Sequence, residues 1–178
     1  MGHFAVSAVG RDKPGIVAAV TGVLSDEGCN LEDTSMSILR GHFAMMLVVA
    51  APAEVDPAAL EQALAGPASA LELVVAVRAI DDDVPASPAG DTWAVSVHGA
   101  DQPGIVHRVT ALLADAGANV VDLSTRLVGD AASPAYVMVL SVTLPGATSD
   151  ADLGARLDAL GTELGVACML HPAEPDVL

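Results

Sequence analysis

An internal repeat constrains the fold of this chain more than any other feature. The motif Asp-x-Pro-Gly-Ile-Val occurs at residues 12–17 and again at residues 101–106, at a spacing of 89 residues. The same spacing aligns further identical residues: Thr21 with Thr110, Leu24 with Leu113, Asp26 with Asp115, Gly28 with Gly117, Asn30 with Asn119, Asp33 with Asp122 and Ser35 with Ser124. Because one spacing holds across loop, helix and strand patterns, the chain contains two copies of one folding unit.

Within each copy, the hydrophobic pattern predicts the element order β-α-β-β-α-β. The first copy has strand patterns at residues 4–9, 30–39, 43–50 and 71–80, and helix patterns that begin at Pro14 and Pro57. The second copy has strand patterns at residues 93–99, 120–128, 136–144 and 163–170, and helix patterns at residues 103–117 and 149–161. This order is the split unit of ferredoxin-like folds, so we predict an α+β class with four antiparallel strands and two helices on one face of each sheet.

The repeat also predicts the domain organisation. We expect domains at residues 1–80 and 92–172, a linker at residues 81–91 and a tail at residues 173–178. The linker is rich in Asp, Pro, Ser and Gly, a composition that cannot form a packed core. The hairpin loop of the second copy, residues 129–135, is four residues longer than its counterpart, and we expect it to be mobile.

Helical and strand spacing predicts which side chains face the two cores. The inward positions in the first copy are Ile16, Val17, Val20, Val23, Leu24, Leu31, Met36, Ile38, Leu60 and Leu64. The inward positions in the second copy are Ile105, Val106, Val109, Leu112, Leu113, Leu153, Leu157 and Leu160. We also expect Gly28 to end the first helix in a left-handed conformation.

The charge balance argues against nucleic-acid binding. The chain carries 23 acidic and 7 basic side chains, a net charge of −16, and such a surface repels phosphate backbones. The longest apolar run, residues 43–51, is too short to span a bilayer, and the N-terminal residues show no secretory signal. We therefore expect no direct nucleic-acid or membrane partner and a cytoplasmic location.

No group of residues indicates catalysis, a cofactor or a metal. Cys29 and Cys168 lie in different copies, without metal-type spacing, and we expect structural roles for both. His98 and His107 bracket the second motif, but the first copy has Val9 and Ala18 at the matching positions, so we do not predict a metal site. We expect a protein that is not an enzyme and has no cofactor.

The repeated motif lies between the first strand and the first helix of each copy, where an anion can bind. The first N–H groups of a helix have no intrahelical acceptor, and the dipole is positive there. Gly15 and Gly104 allow close approach of a carboxylate, while Asp12 or Asp101 could accept hydrogen bonds from an ammonium group. Asn30 and Asn119 offer both a donor and an acceptor. The residues alone also fit a purely structural turn, and both interpretations stay open.

The motif, followed by an apolar helix and then Gly-x-Asn-Leu or Gly-x-Asn-Val, resembles the signature of the ACT domain. The resemblance covers about residues 1–80 and 91–172, and two tandem copies with little else are similar to proteins of the glycine cleavage system transcriptional repressor type. It implies amino-acid-sensing regulatory modules that pair side by side and bind ligands near the first loop and helix.

Carried over residue by residue, the resemblance implies ten ligand contacts. They are Asp12, Pro14, Gly15, Ile16 and Asn30 in the first copy, and Asp101, Pro103, Gly104, Ile105 and Asn119 in the second. The first motif is flanked by Arg11 and Lys13, whereas the second has Ala100 and Gln102, so the two sites need not bind equally.

The expected function is regulation through a small free amino acid, similar to glycine or serine, with effects passed to a protein partner and a possible role in glycine or one-carbon metabolism. The alternative is an interaction or oligomerisation module without a ligand. Open sheet edges favour self-association, either as a homo-oligomer or as a pair within the chain, and both arrangements stay open.

Overall fold

The computed structural model describes residues 2–80, 91–129, 135–146 and 148–173. The chain divides into two compact units, Met1–Val84 and Pro85–Leu178, called here the first and second unit. Residues 81–90 of the predicted linker, residues 130–134 of the predicted hairpin loop and residues 174–178 of the predicted tail lie outside the described residues.

The first unit is a four-stranded antiparallel sheet with two helices. Its elements are β1 (Gly2–Arg11), α1 (Ile16–Asp26), β2 (Asn30–Leu39), β3 (His42–Ala51), α2 (Pro57–Leu71) and β4 (Leu73–Ile80). The strand order is β2-β3-β1-β4, so β1 and β3 are central and β2 and β4 are edges.

The second unit repeats this architecture. Its elements are β5 (Asp91–Gly99), α3 (Ile105–Asp115), β6 (Asn119–Val128), β7 (Ala135–Leu144), α4 (Asp150–Leu164) and β8 (Val166–Pro172). The strand order β6-β7-β5-β8 matches that of the first unit. The predicted α+β class, with two tandem ferredoxin-like βαββαβ units, is confirmed.

Each core forms because one face of the sheet is apolar at every second position. In β3, Phe43, Met45, Leu47, Val49 and Ala51 are buried, while the residues between them are half-buried or exposed. The helices cover this face with apolar residues at helical spacing, and the predicted positions Leu60, Leu64, Leu153, Leu157 and Leu160 are all buried. Gly28 follows α1 with a φ of 71°, as predicted for a left-handed cap.

The predicted inward positions on β2 face the helix side of the sheet, as predicted, but they are not buried. Leu31, Met36 and Ile38 lie opposite Val49, Met45 and Phe43, and they therefore share the helix-side face of the sheet. Even so, Met36 is 48% exposed and Ile38 is 51% exposed. The cause is position, because β2 is an edge strand with a neighbouring strand on one side only, and all ten of its residues are exposed.

The first helix of each unit buries a narrower stripe than predicted. Ile16, Val20 and Leu24 are buried in α1, whereas Val17 is 41% exposed and Val23 is only half-buried. In α3, Ile105, Val109 and Leu113 are likewise buried, Leu112 is half-buried and Val106 is exposed. A residue next to a buried one along the chain is rotated by about 100° around the helix, and here this rotation turns its side chain wholly or partly away from the core.

Several predicted boundaries also need correction. Helix α2 continues to Leu71, and β4 therefore begins at Leu73 rather than at residue 71. Helix α4 similarly extends to Leu164, so β8 begins at Val166 rather than at residue 163. Strand β5 begins at Asp91, which had been expected to belong to the linker.

Two valines on α3 allow a matched stability test. Val109→Ala should reduce the free energy of unfolding of the second unit by about 2 kcal/mol, because it removes two buried methyl groups and leaves a cavity. Val106→Ala should change it by less than about 0.5 kcal/mol, since the side chain is exposed and Ala is the better helix former. The fluorescence of Trp93, the single tryptophan of the chain, followed in urea measures this unit. Equal losses from both variants would contradict the burial pattern.

Candidate functional site

The helices that follow the two motifs begin without a side-chain cap. Gly15 and Gly104 occupy the N-cap positions of α1 and α3, both with φ 93° and ψ −4°. By contrast, the carboxylate of Asp56 accepts a hydrogen bond from the N–H of Ala59 at α2, and the Ser149 hydroxyl accepts one from the N–H of Asp152 at α4. The first N–H groups of α1 and α3 are therefore left for another acceptor.

The space beside the two glycines is open. A Cβ at Gly15 or Gly104 would lie more than 4 Å from the heavy atoms of residues beyond its chain neighbours and its own helix. Asp12, Pro14, Asp101 and Pro103 are exposed. An anionic group can therefore reach the positive end of either helix dipole.

Asp12 fixes the first loop through its backbone and not through its side chain. Its N–H donates to the carbonyl oxygen of Gly41, in the β2–β3 turn, at 2.9 Å. Its carboxylate does not cap α1 and forms no hydrogen bond or ion pair within the described part of the chain. The predicted turn role, in which this carboxylate satisfies nearby N–H groups, is therefore not seen, and the carboxylate can accept hydrogen bonds from a ligand.

The two isoleucines of the motifs are core residues. Ile16 is 2% exposed and Ile105 is 1% exposed, and each packs with the buried side chains of its own unit. A ligand at the helix start could therefore meet their backbone N–H groups but not their side chains. Burial of Ile16 and Ile105 fixes where each helix begins, and this in turn positions the free N–H groups.

The structure does not bring the predicted asparagines next to the motif of their own unit. Asn30 lies opposite Ala50, and Ala50 pairs with His3 at the N-terminal end of β1. The motif loop leaves the other end of β1, after Arg11. Eight residues of strand separate these ends, a distance of about 27 Å. Asn119 has the same placement in the second unit, because it lies opposite Thr143, which pairs with Thr92.

Sequence reasoning missed Glu72, a residue beside the first motif. Its carboxylate forms an ion pair with the ammonium group of Lys13, within the motif loop. Glu72 follows α2 in the left-handed conformation, with φ 57° and ψ 44°, whereas the matching cap of α4 is Gly165, with φ 64°. A left-handed non-glycine residue is strained. The alignment of Glu72 with Gly165 could have revealed this residue, because it places a glutamate where the second copy has a glycine at the end of the helix.

The ion pair with Lys13 lowers the pKa of the Glu72 carboxyl group. The hydrogen bond and charge of Lys13 lower the pKa of Glu72 below its ordinary value near 4.5, and the charge of Arg11 adds to the effect. The second unit has Gln102 and Gly165 at the corresponding positions, and thus no charge pair there. The two loops therefore differ in electrostatics although their glycines have the same backbone conformation.

The remaining candidates for chemistry show no sign of a reactive site. Burial raises the pKa of both the Cys29 and the Cys168 thiol, which disfavours the reactive thiolate. His98 and His107 are exposed. Across the described ranges, no three His, Cys, Asp or Glu side chains are grouped in a way that could hold a metal ion. None of the described helices is long and apolar enough to cross a membrane.

The strain at Glu72 can be measured with two substitutions. Glu72→Gly should melt a few degrees higher than Glu72→Gln, because both remove the ion pair but only glycine relieves the left-handed backbone. Differential scanning calorimetry of the full chain measures the difference. As the reverse control, Gly165→Gln should lower the melting temperature of the second unit. A Glu72→Gly protein that melts at or below the temperature of Glu72→Gln would show that no strain is stored there.

The ion pair also predicts a pH dependence. The pKa of Glu72 is lower in the folded than in the unfolded chain, so the pair stabilises the fold above the unfolded pKa and loses this effect as the pH falls through the lower, folded pKa. The melting-temperature difference between the wild type and Glu72→Gln should therefore be constant near neutral pH and shrink below about pH 4.5. A difference that grows in acid would contradict this assignment.

Comparison with known proteins agrees with this architecture. Over 165 residues the chain is 28% identical to the glycine cleavage system transcriptional repressor of Escherichia coli strain K12. This match covers 91% of this chain and 85% of the relative. The solved structure of an unknown protein from Galdieria sulphuraria is 31% identical, with a TM-score of 0.81 over 97% of this chain and 99% of that one.

A second solved structure, provisionally named a glycine cleavage system transcriptional repressor, has a TM-score of 0.73. It is 20% identical and covers 98% of both chains, so it shows a common fold. Residues 3–78 and residues 93–161 each match the ACT domain, which together account for most of the chain. The chain belongs to the ACT-domain family, with two copies of the domain in tandem.

Proposed function

We propose that this chain is a regulatory protein that binds a small free amino acid, similar to glycine or serine, at its motif loops and passes the effect to a protein partner. One observation carries the proposal: both units present the same uncapped helix start, with an exposed carboxylate three residues before the N-cap glycine. This arrangement offers N–H groups to a carboxylate and a carboxylate to an ammonium group.

The size of the ligand follows from the shape of the loop. Only three residues separate Asp12 from Ile16, the first residue of α1, and we infer that the N–H groups take the α-carboxylate of the ligand and Asp12 its α-ammonium group. The exposed loop provides no buried apolar chamber for a large side chain, since its isoleucine points into the core. A glycine-like or serine-like ligand therefore fits better than an aromatic or long aliphatic one.

The asparagines join this site if two copies of the chain pair through their edge strands. Strand β2 presents exposed apolar side chains and unpaired backbone groups along its free edge. If another copy of the chain pairs its own β2 with this edge in antiparallel fashion, the motif loop of that copy comes near Asn30, and the oligomeric state tests this arrangement.

The two loops are expected to differ in affinity. Lys13 and Arg11 add positive charge beside the first helix start, whereas Gln102 and Ala100 stand beside the second. Positive charge strengthens binding of a carboxylate, although the Lys13–Glu72 pair offsets part of this effect. We expect the first site to bind more tightly, and more so when Glu72 is neutral.

The downstream effect is assigned to a protein partner because of charge. With a net charge of −16, direct contact with DNA is unfavourable, so any effect on transcription runs through another protein. The similarity to the glycine cleavage system transcriptional repressor supports a role in glycine or one-carbon metabolism. Such a sensor of free amino acids would act in the cytoplasm, and we do not expect it to catalyse a reaction.

The test is isothermal titration calorimetry of the full chain against glycine, serine and the other protein amino acids. The double variant Asp12→Asn, Asp101→Asn should weaken binding by about tenfold or more, since each site loses a charge-assisted hydrogen bond. The control Asp26→Asn, Asp115→Asn changes the same charge at the far ends of α1 and α3, and it should bind like the wild type.

A folded protein that gives no heat with any amino acid would contradict ligand sensing. The exposed apolar edge of β2 then favours the alternative, an assembly module without a ligand. That function predicts that Met36→Glu reduces the size of the assembly in size-exclusion chromatography, whereas the double variant Asp12→Asn, Asp101→Asn leaves it unchanged.

A further inference from the structure

Both arginines that lie on the helices described in this structure line one groove. Neither α1 nor α2 contains Lys or Arg, whereas α3 contains Arg108 and α4 contains Arg156. Both side chains, together with His107, line a groove of about 350 Å³ between α3 and α4 on the second unit. This concentration is notable in a chain with more than three acidic side chains for each basic one.

The groove combines these basic groups with an apolar lining. Ala111, Leu112 and Leu160 contribute the apolar part, and Asp115 is its acidic member. Leu112 is half-buried, while Arg108 and Arg156 are exposed. An apolar strip flanked by cations suits an amphipathic acidic segment better than it suits a small, fully hydrated anion.

The first unit has no equivalent of this chemistry. The residues that align with His107, Arg108 and Arg156 are Ala18, Ala19 and Ala63. The first unit has the same fold and the same helix pair, so packing of the helices does not require the three basic residues. The common fold therefore does not explain why they are present in one copy only.

The two arginines differ in what they already bind. Nη2 of Arg108 donates to Oε2 of Glu163, at 2.6 Å, across the two helices. Within the described residues, Arg156 forms no hydrogen bond or ion pair, and Asp115 across the groove does not come within ion-pair distance of it. One guanidinium is therefore free for an incoming carboxylate, and the other is held by a carboxylate that a partner would have to displace.

We propose that the groove between α3 and α4 is a docking surface for an acidic amphipathic segment of a protein partner. Charge complementarity carries the choice of occupant: Arg156 and Arg108 would pair with acidic side chains, while the apolar strip covers the segment's apolar face. The inference goes beyond amino-acid binding at the motif loops, and its test requires no amino acid.

Two variants of opposite effect test the proposal. The probe is a fluorescein-labelled amphipathic helical peptide of about four turns, with leucines on one face and glutamates beside them. In fluorescence anisotropy with the full chain, Arg156→Gln should weaken its binding by about tenfold, because a charged hydrogen-bonded pair is lost. Glu163→Gln should strengthen binding, since it releases Arg108 from its internal partner.

Matched controls separate the groove from the overall charge. Arg126→Gln, on the exposed strand β6, removes the same positive charge, and Glu61→Gln, on α2, removes the same negative charge. Both should bind the peptide like the wild type. A peptide with lysines in place of the glutamates should not bind.

Three results would overturn the proposal. The first is no binding of the acidic peptide to the folded wild type. The second is an equal effect of Arg156→Gln and Arg126→Gln, which would reveal attraction by net charge alone. The third is displacement of the peptide by citrate at low concentration, with a matching loss in Arg156→Gln, because the groove would then be a site for small polycarboxylates.

Discussion

The left-handed backbone of Gly15 and Gly104 is the constraint on which the candidate site depends. Each glycine turns the chain from the end of the first strand into a helix whose opening isoleucine is buried, and φ 93° is a conformation that other residues adopt only with strain. Because the turn is made by backbone conformation, no side chain is used to cap the helix. The N–H groups are left free by the same residue that makes the turn possible.

Much of this fold could be predicted from the sequence, because the signals were local and were repeated. Strand β2 was located at residues 30–39, and the buried positions Leu60 and Leu153 followed from helical spacing. The exposed state of Ile38 could not be predicted, since alternation along a strand tells which face a side chain takes and not whether anything covers it there. The same limit applied to Val106, whose side chain faces solvent only because α3 packs on the sheet at one particular rotation.

The candidate site was predictable in part. The bare helix starts followed from Gly15 and Gly104, but Glu72 is far from the motif in sequence and reaches it only through the α2–β4 turn. The placement of Asn30 was also beyond sequence reasoning, because the length of β1 separates it from Asp12 within one unit. Proximity in sequence to a motif is therefore a poor guide where a helix intervenes and carries the chain back along the sheet.

One edge strand of each unit, β2 and β6, contains a register shift at the same place. Register shifts between Leu31 and Asp33, and between Val120 and Asp122, leave one extra residue on the edge strand opposite its neighbour. Beyond this point, the extra residue reverses which side chains face the helices. Loss of the codon for Glu32 would therefore restore regular alternation and leave Met36 opposite Met45 and Ile38 opposite Phe43, whereas loss of a residue further along β2 would turn the side chains beyond it to the opposite face of the sheet.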